Sequence, residues 1–340
     1  MRLQTAALLG MGLLAPLGCK KTVDGPMPVC ASEVEGGEAE ETQSQNVPPE
    51  VWFALILKSF NAKTGEAARP LKDCTGKPLE IEDEVVASCI TPENPSPVLD
   101  PRALDGEKDL EITGLDDGKA LVWARTDYFE DGDALGPIAI AEFRPNGIAI
   151  RAIGALRANP NRVRMRLEPM GETTVLVVDS MVCEPDDPKK CARVMRLVPM
   201  NGNRFTERPL IDDDTEACLG AATFPLSRES EMKRDGGIIR RFELVRSFDF
   251  EEGEVSVSEQ LTIKDIDPEQ PDAPPAVFRK AQLKRPLVLT ELGLRTEESL
   301  WDRMMAEHGS VEVRKTPPPT AEDEAKEGGD EVAASADAAG

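Results

Sequence analysis

The side chains best able to do chemistry in this chain are carboxylates. Asp127, Glu130, Asp131 and Asp133 fall close together, and Asp212-Asp213-Asp214 with Glu216 form a second group. Such oxygen donors suit Ca²⁺, which takes about six to eight of them. A pair of carboxylates also suits glycoside hydrolysis when about 5 or 9 Å separates them. Neither group has the D-x-[DN]-x-[DN]-G spacing of a calcium loop, and 63 acidic residues guarantee some close pairs. Solvated turn acids are therefore expected, with no metal and no cofactor. A basic pattern stands against this acidity. Arg162, Arg164, Arg166, Arg193 and Arg196 concentrate in one stretch. They suit an anionic partner such as an envelope polysaccharide or an acidic protein, or else pair across strands with nearby acids, which is the expected outcome.

Nucleophile patterns are sparse. The chain has no P-loop, GxGxxG, HExxH or GxSxG, and its one histidine, His308, excludes a multi-His metal site. Ser230-Glu-Met-Lys233 resembles the S-x-x-K element of serine penicillin-binding enzymes, and Lys63-Thr-Gly65 their K-T-G. Their order is reversed and no S-D-N joins them, so no catalytic residue is assigned. The net charge of −23 argues against a nucleic-acid partner, which needs a positive footprint.

The elements that must position these groups are mostly strands. LVWARTDYF, IAIAEF, IAIRAIG, RVRMRL, TVLVVDSMV and ARVMRLV are short and rich in β-branched residues, and turn pairs such as Asp117-Gly118, Asn146-Gly147 and Asn201-Gly202 punctuate them. Ile238, Phe242, Leu244, Phe248 and Phe250 share one parity, as do Val255, Val257, Leu261 and Ile263, with Glu251 to Glu254 as the turn of a hairpin. The apolar run Val51 to Leu57 and the segment LEIEDEVVASC read as further strands. One helix is expected over Glu297 to His308, capped by Thr296, with Leu300, Trp301, Met304 and Met305 on one face. Turn glycines at Gly118, Gly171 and Gly237 recur at roughly blade-sized intervals. The expectation is an all-β fold, an antiparallel meander of about five propeller-like repeats, with a β-sandwich as the alternative and a short C-terminal helix.

The chain opens MRLQTAALLGMGLLAPLGC, with Arg2 before an apolar run from Ala6 to Leu17 that is too short to span a bilayer. Gly18-Cys19 resembles the lipobox junction of bacterial lipoproteins. The resemblance, confined to residues 1–19, implies cleavage before Cys19 and acylation of that residue. Lys20 in place of Asp implies the outer membrane of a cell envelope that has one. The expected division is signal peptide 1–18, lipid-anchored flexible tether 19–48, β-rich domain 49–315 and disordered acidic tail 316–340. A coil of the tether's length reaches roughly 30 Å. The tail's seven acids against one lysine suit a solvated end, or an acidic interaction segment.

Six cysteines remain: Cys30, Cys74, Cys89, Cys183, Cys191 and Cys218. An even number in an exported chain suggests disulfides. Cys183 and Cys191 bracket a turn-rich loop and should pair. Cys74 with Cys89 is the next local pair, leaving Cys30 with Cys218 by elimination. The functional expectation is a lipid-anchored envelope protein held to the membrane through Cys19. It acts as a non-enzymatic binding or structural module for another envelope protein or a polysaccharide. An exported carboxylate-dependent hydrolase and a Ca²⁺-binding extracellular module are the alternatives.

Overall fold

The computed structural model describes residues 27–33, 47–79, 89, 102–144, 147–161, 163–184 and 187–309. The leader, the Gly18-Cys19 junction, Arg162, residues 316–340 and most of LEIEDEVVASC lie outside them. Strand β1 (Cys30–Glu33) precedes helix α1 (Pro49–Ile56) and the ribbon of β2 (Phe60–Asn61) and β3 (Glu66–Ala67). A single helical turn, α2 (Gly106–Asp109), leads into β4 (Leu110–Gly114), β5 (Lys119–Ala124), β6 (Asp127–Tyr128), β7 (Ala134–Arg144) and β8 (Gly147–Ala158). Next come β9 (Arg164–Met170), β10 (Thr173–Glu184), β11 (Asp187–Asn201) and β12 (Arg204–Phe205). Then follow β13 (Pro209–Asp212), β14 (Cys218–Ala221), β15 (Thr223–Pro225) and β16 (Ser227–Lys233). The last strands are β17 (Ile239–Glu251), β18 (Glu254–Ile266), β19 (Ala276–Leu289) and β20 (Leu294–Thr296), and helix α3 (Leu300–His308) follows them.

The fold is all-β, as expected. The strands form an eleven-stranded sheet, a seven-stranded sheet and the two-stranded ribbon. The recurring glycines have a structural counterpart. Each precedes the second strand of a four-stranded antiparallel meander: β4-β5-β7-β8, β9-β10-β11-β12 and β16-β17-β18-β19. Propeller blades remain separate sheets around an axis. Here the first two meanders join through the parallel pair β8–β12, and the third extends through β20, β13 and β14. Among the described residues there are three such units rather than about five, within curled antiparallel sheets. Gly154 permits the β8–β12 join, because a Cβ there would lie 2.3 Å from the Phe205 carbonyl oxygen.

Layering explains the two kinds of strand sequence. Strands β5, β7 and β8 are covered on both faces. Ala139, Ala141 and Ile150 meet α1, while Ile138, Ile140 and Leu156 meet Leu176, Val178 and Val198 of the second meander. Such strands read as continuous apolar runs. Strand β10 is also covered twice, since Val175 and Val177 pack against Val255, Val257 and Leu287 of the other sheet. The β17–β18 hairpin has the expected register, closing at Glu251 opposite Glu254. Val245 on its outer face is 59% exposed, so this strand pair alternates.

Four expectations change. Val51 to Ile56 is helix rather than strand, because Pro49 at the first turn presets helical φ and the run of apolar residues is compatible with either form. Trp52, Phe53, Leu55 and Ile56 form its buried face. Helix α3 starts at Leu300, capped by Ser299, which accepts the Asp302 N–H at 3.1 Å; Thr296 instead ends β20. The segment 19–48 is not wholly a tether, for β1 pairs along β8 with Cys30 opposite Ile150. Finally, the bridges are Cys30–Cys74 and Cys89–Cys218, not Cys74–Cys89 and Cys30–Cys218. Strand pairing carries Cys30 onto the β8 edge, beside the turn that holds Cys74, and this non-local approach outweighs sequence proximity. Cys183–Cys191 is as expected, on facing positions of β10 and β11.

The closed segments span 44, 129 and 8 residues for Cys30–Cys74, Cys89–Cys218 and Cys183–Cys191. Chain entropy assigns roughly 4, 5 and 2.5 kcal/mol to them in turn. Peptide mapping of the non-reduced protein should recover these three linkages. Replacing Cys30 and Cys74 together with alanine should lower stability in urea more than replacing Cys183 and Cys191. A Cys74–Cys89 peptide, or the reverse order of stabilities, would contradict the arrangement.

Candidate functional site

The sequence-marked residues separate in space. Ser230 and Lys233 both lie on β16, where an odd spacing turns their side chains to opposite faces. Lys63-Thr-Gly65 forms the turn between β2 and β3, in a different sheet. The S-x-x-K resemblance therefore lacks a shared site.

The acidic groups condense on arginines. Asp127 pairs with Arg69. Asp131 and Asp133 both bind Arg157, at 2.7 and 3.2 Å, whereas Glu130 is exposed. Burial and the neighbouring Asp131 raise the pKa of Asp133, against the pull of Arg157. In the second group, Asp212 accepts both the N–H and hydroxyl of Thr215, which lowers its pKa. Asp213 and Glu216 hold Arg295 at 3.5 and 2.9 Å, and Asp214 is exposed. Among the described residues, no three His, Cys, Asp or Glu side chains gather at metal-binding distance. The basic stretch is matched too: Arg166 to Glu168 at 2.7 Å, Arg193 to Asp179, and Arg196 to Glu207 at 3.4 Å. Exposed Arg164 sits in register with Asp179.

Two buried polar centres have no counterpart among the sequence-marked groups. At the start of β4, fully buried Asp109 takes both Arg102 Nη atoms, at 2.9 and 2.6 Å, the Asp105 N–H at 2.6 Å and the Tyr128 hydroxyl. Burial and the bond to Asp109 push Tyr128 up to about 12. A cavity of about 220 Å³ opens beside Arg69 and Arg102, but each guanidinium is already matched by an aspartate.

The second centre lies within the seven-stranded sheet. Glu259 Oε1 accepts Arg246 Nε at 2.6 Å and Arg285 Nη2 at 3.2 Å; Oε2 accepts the Leu300 N–H at 2.6 Å. Arg285 Nη1 also donates to Thr296 Oγ1 at 2.6 Å and to the Glu297 carbonyl at 2.7 Å. Burial opposes ionisation of Glu259, but Arg285, the Leu300 N–H and Arg246 outweigh it, leaving its pKa below the ordinary 4.5. The signal for this centre was parity: Arg246 and Glu259 interrupt the inward apolar positions of β17 and β18. Its solvent-free setting, with both Glu259 oxygens occupied by protein donors, marks it as structural.

A recess larger than the Arg69–Arg102 cavity lies elsewhere. A groove of about 590 Å³ lies where the β9–β10 turn meets the β17–β18 turn, with β19 as its wall. Met170, Val255, Leu287 and Leu289 contribute apolar lining, and Val288 is 53% exposed. Glu172, Glu251 and Glu254 rim it, and a fourth acid, Asp249, holds Lys284 at 3.1 Å. The Gly171 N–H donates to the Gly253 carbonyl at 2.7 Å, tying the turns together. Both glycines have positive φ, +60° and +85°, which favours glycine in these turns. This recess combines exposed Val288 with three acids, Glu172, Glu251 and Glu254, that have no ion-pair partner among the described residues, so it is the candidate binding site.

No family model matches the chain, and neither a curated protein nor a solved structure matches it. The assignment of the site therefore rests on its geometry.

The buried centre yields a quantitative expectation. Glu259→Gln leaves two buried arginines uncompensated and should cost about 3–5 kcal/mol in urea unfolding. Because folding lowers the Glu259 pKa, its stabilisation is complete above the unfolded pKa and lost as pH falls through the folded one. The parent should accordingly lose more stability than Glu259→Gln on acidification below about pH 4.5. Parallel pH profiles would contradict this assignment.

Proposed function

We propose that this chain is an exported, lipid-anchored binding module of the cell envelope, without catalytic activity of its own. Cysteine accounting carries the reading. The chain has seven cysteines, six pair within the domain, and the remaining one is Cys19. Three disulfides fit an oxidising compartment. A cysteine outside those pairs, directly after Gly18 at the end of an apolar leader, fits acylation. One acyl chain binds a membrane marginally, whereas the several chains expected on a lipoprotein cysteine hold it durably. The outer membrane is the proposed location where the envelope has one. The groove at the β9–β10 and β17–β18 turns is the proposed binding surface. The observed pairing of carboxylates with arginine or threonine favours binding over the hydrolase and Ca²⁺ readings.

Mass spectrometry of membrane-extracted protein should find the mature chain beginning at acylated Cys19. Cys19→Ser should remain unacylated and shift to the soluble fraction with its three disulfides intact. An unmodified Cys19 in the parent, with unchanged membrane fractionation of the variant, would overturn the anchor.

A further inference from the structure

We infer that the groove receives an extended, cationic segment of a partner polypeptide, with lysine or arginine alternating with apolar side chains. This inference rests on the reading of the chain as a binding module and adds the chemistry of its partner. The apolar half of the match is exposed Val288, with exposed Pro286 and half-buried Leu289 beside it, while Met170 and Leu287 lie beneath in the core. Its rim supplies the ionic half. Lys284 is matched by Asp249, whereas Glu172, Glu251 and Glu254 have no ion-pair partner among the described residues. The combined surface disfavours an anionic or purely apolar ligand. It also disfavours a second copy of this chain, since each copy carries −23.

The wall of the groove points to an extended form. Strand β19 pairs with β18 along its length, but on its other side meets β20 only at Val288 and Leu289. From Ala276 to Leu287 that second side has no paired strand among the described residues. A segment leaving the groove can add its backbone to this edge while its side chains remain alternately apolar and cationic. Electrostatic matching accelerates encounter, and apolar contact with the groove slows release.

Two short capped peptides, one alternating lysine with leucine and one alternating glutamate with leucine, test the inference by fluorescence anisotropy with the full chain. Only the lysine peptide should bind, and added salt should weaken binding. Glu172→Lys with Glu254→Lys should reduce affinity by about tenfold or more. The charge-matched pair Glu130→Lys with Glu229→Lys, on exposed positions outside the groove, should change it less than about twofold. Equal losses in the two double variants would reveal non-specific attraction and overturn the groove assignment. No lysine-peptide binding, or an unchanged affinity in the groove variant, would also overturn it. Unchanged unfolding midpoints establish that both variants remain folded. The same titration with Cys19→Ser separates this inference from the anchor: lost acylation with retained binding refutes only the anchor, whereas acylated parent protein without binding refutes only the groove.

Discussion

A carboxylate without access to water organises the second half of this molecule. Removing Glu259, Arg246 and Arg285 from solvent costs several kcal/mol per ion, and only close, complete pairing offsets that cost. Each partner comes from a different element: Arg246 from β17, Glu259 from β18, Arg285 from β19 and the Leu300 N–H from the start of α3. A slip of one residue in either strand pair would reverse the facing side chains and separate the ions. The apolar residues on either side then have defined partners. Phe248, Phe250, Val255 and Val257 meet the second meander, while Phe242, Leu244, Leu261 and Ile263 meet α3 through Trp301 and Met304. The ionic centre thus coordinates packing at both ends of one sheet face.

The same charge economy operates at the surface. The chain is strongly acidic, yet most carboxylates near the central strands are paired locally with arginine. Asp131 and Asp133 share Arg157, whose guanidinium also lies over Phe129 at 3.9 Å. Asp213 and Glu216 share Arg295. Negative charge is consequently more consequential where no ion-pair partner stands among the described residues, as at Glu172, Glu251 and Glu254 of the groove. Local pairing, rather than the net charge, separates the structural acids from those on which the proposed partner would act.

Legibility in the sequence followed solvent exposure. The β17–β18 hairpin was evident because one face is wet and its apolar residues alternate. Strands β5, β7 and β8 were recognisable as apolar runs, but no periodicity specified which layer would cover each face. Helix α1 was obscured by its short length, although Pro49 supplied a start signal. The Cys183–Cys191 hairpin was local and readable, whereas Cys30–Cys74 depended on β1 reaching the distant edge of β8. The groove was similarly hidden, because it arises where Gly171 and Gly253 bring two separate turns together. Glu259 and Arg246 left a trace as charged residues at inward positions, but their ligands came from strand register and the return of α3.

Pinning of β1 would have a mechanical consequence if the proposed lipid on Cys19 held the protein to a membrane. Cys30 lies 11 residues after Cys19, so the leash ahead of the first covalent crosslink can span at most about 40 Å. If Cys19 bears the proposed lipid, tension applied by the membrane enters the domain through the S–S bond to Cys74 as well as through the short β1–β8 ladder. The covalent route prevents that ladder from opening freely under load. Reduction would transfer that load to the backbone hydrogen bonds of the β1–β8 ladder alone.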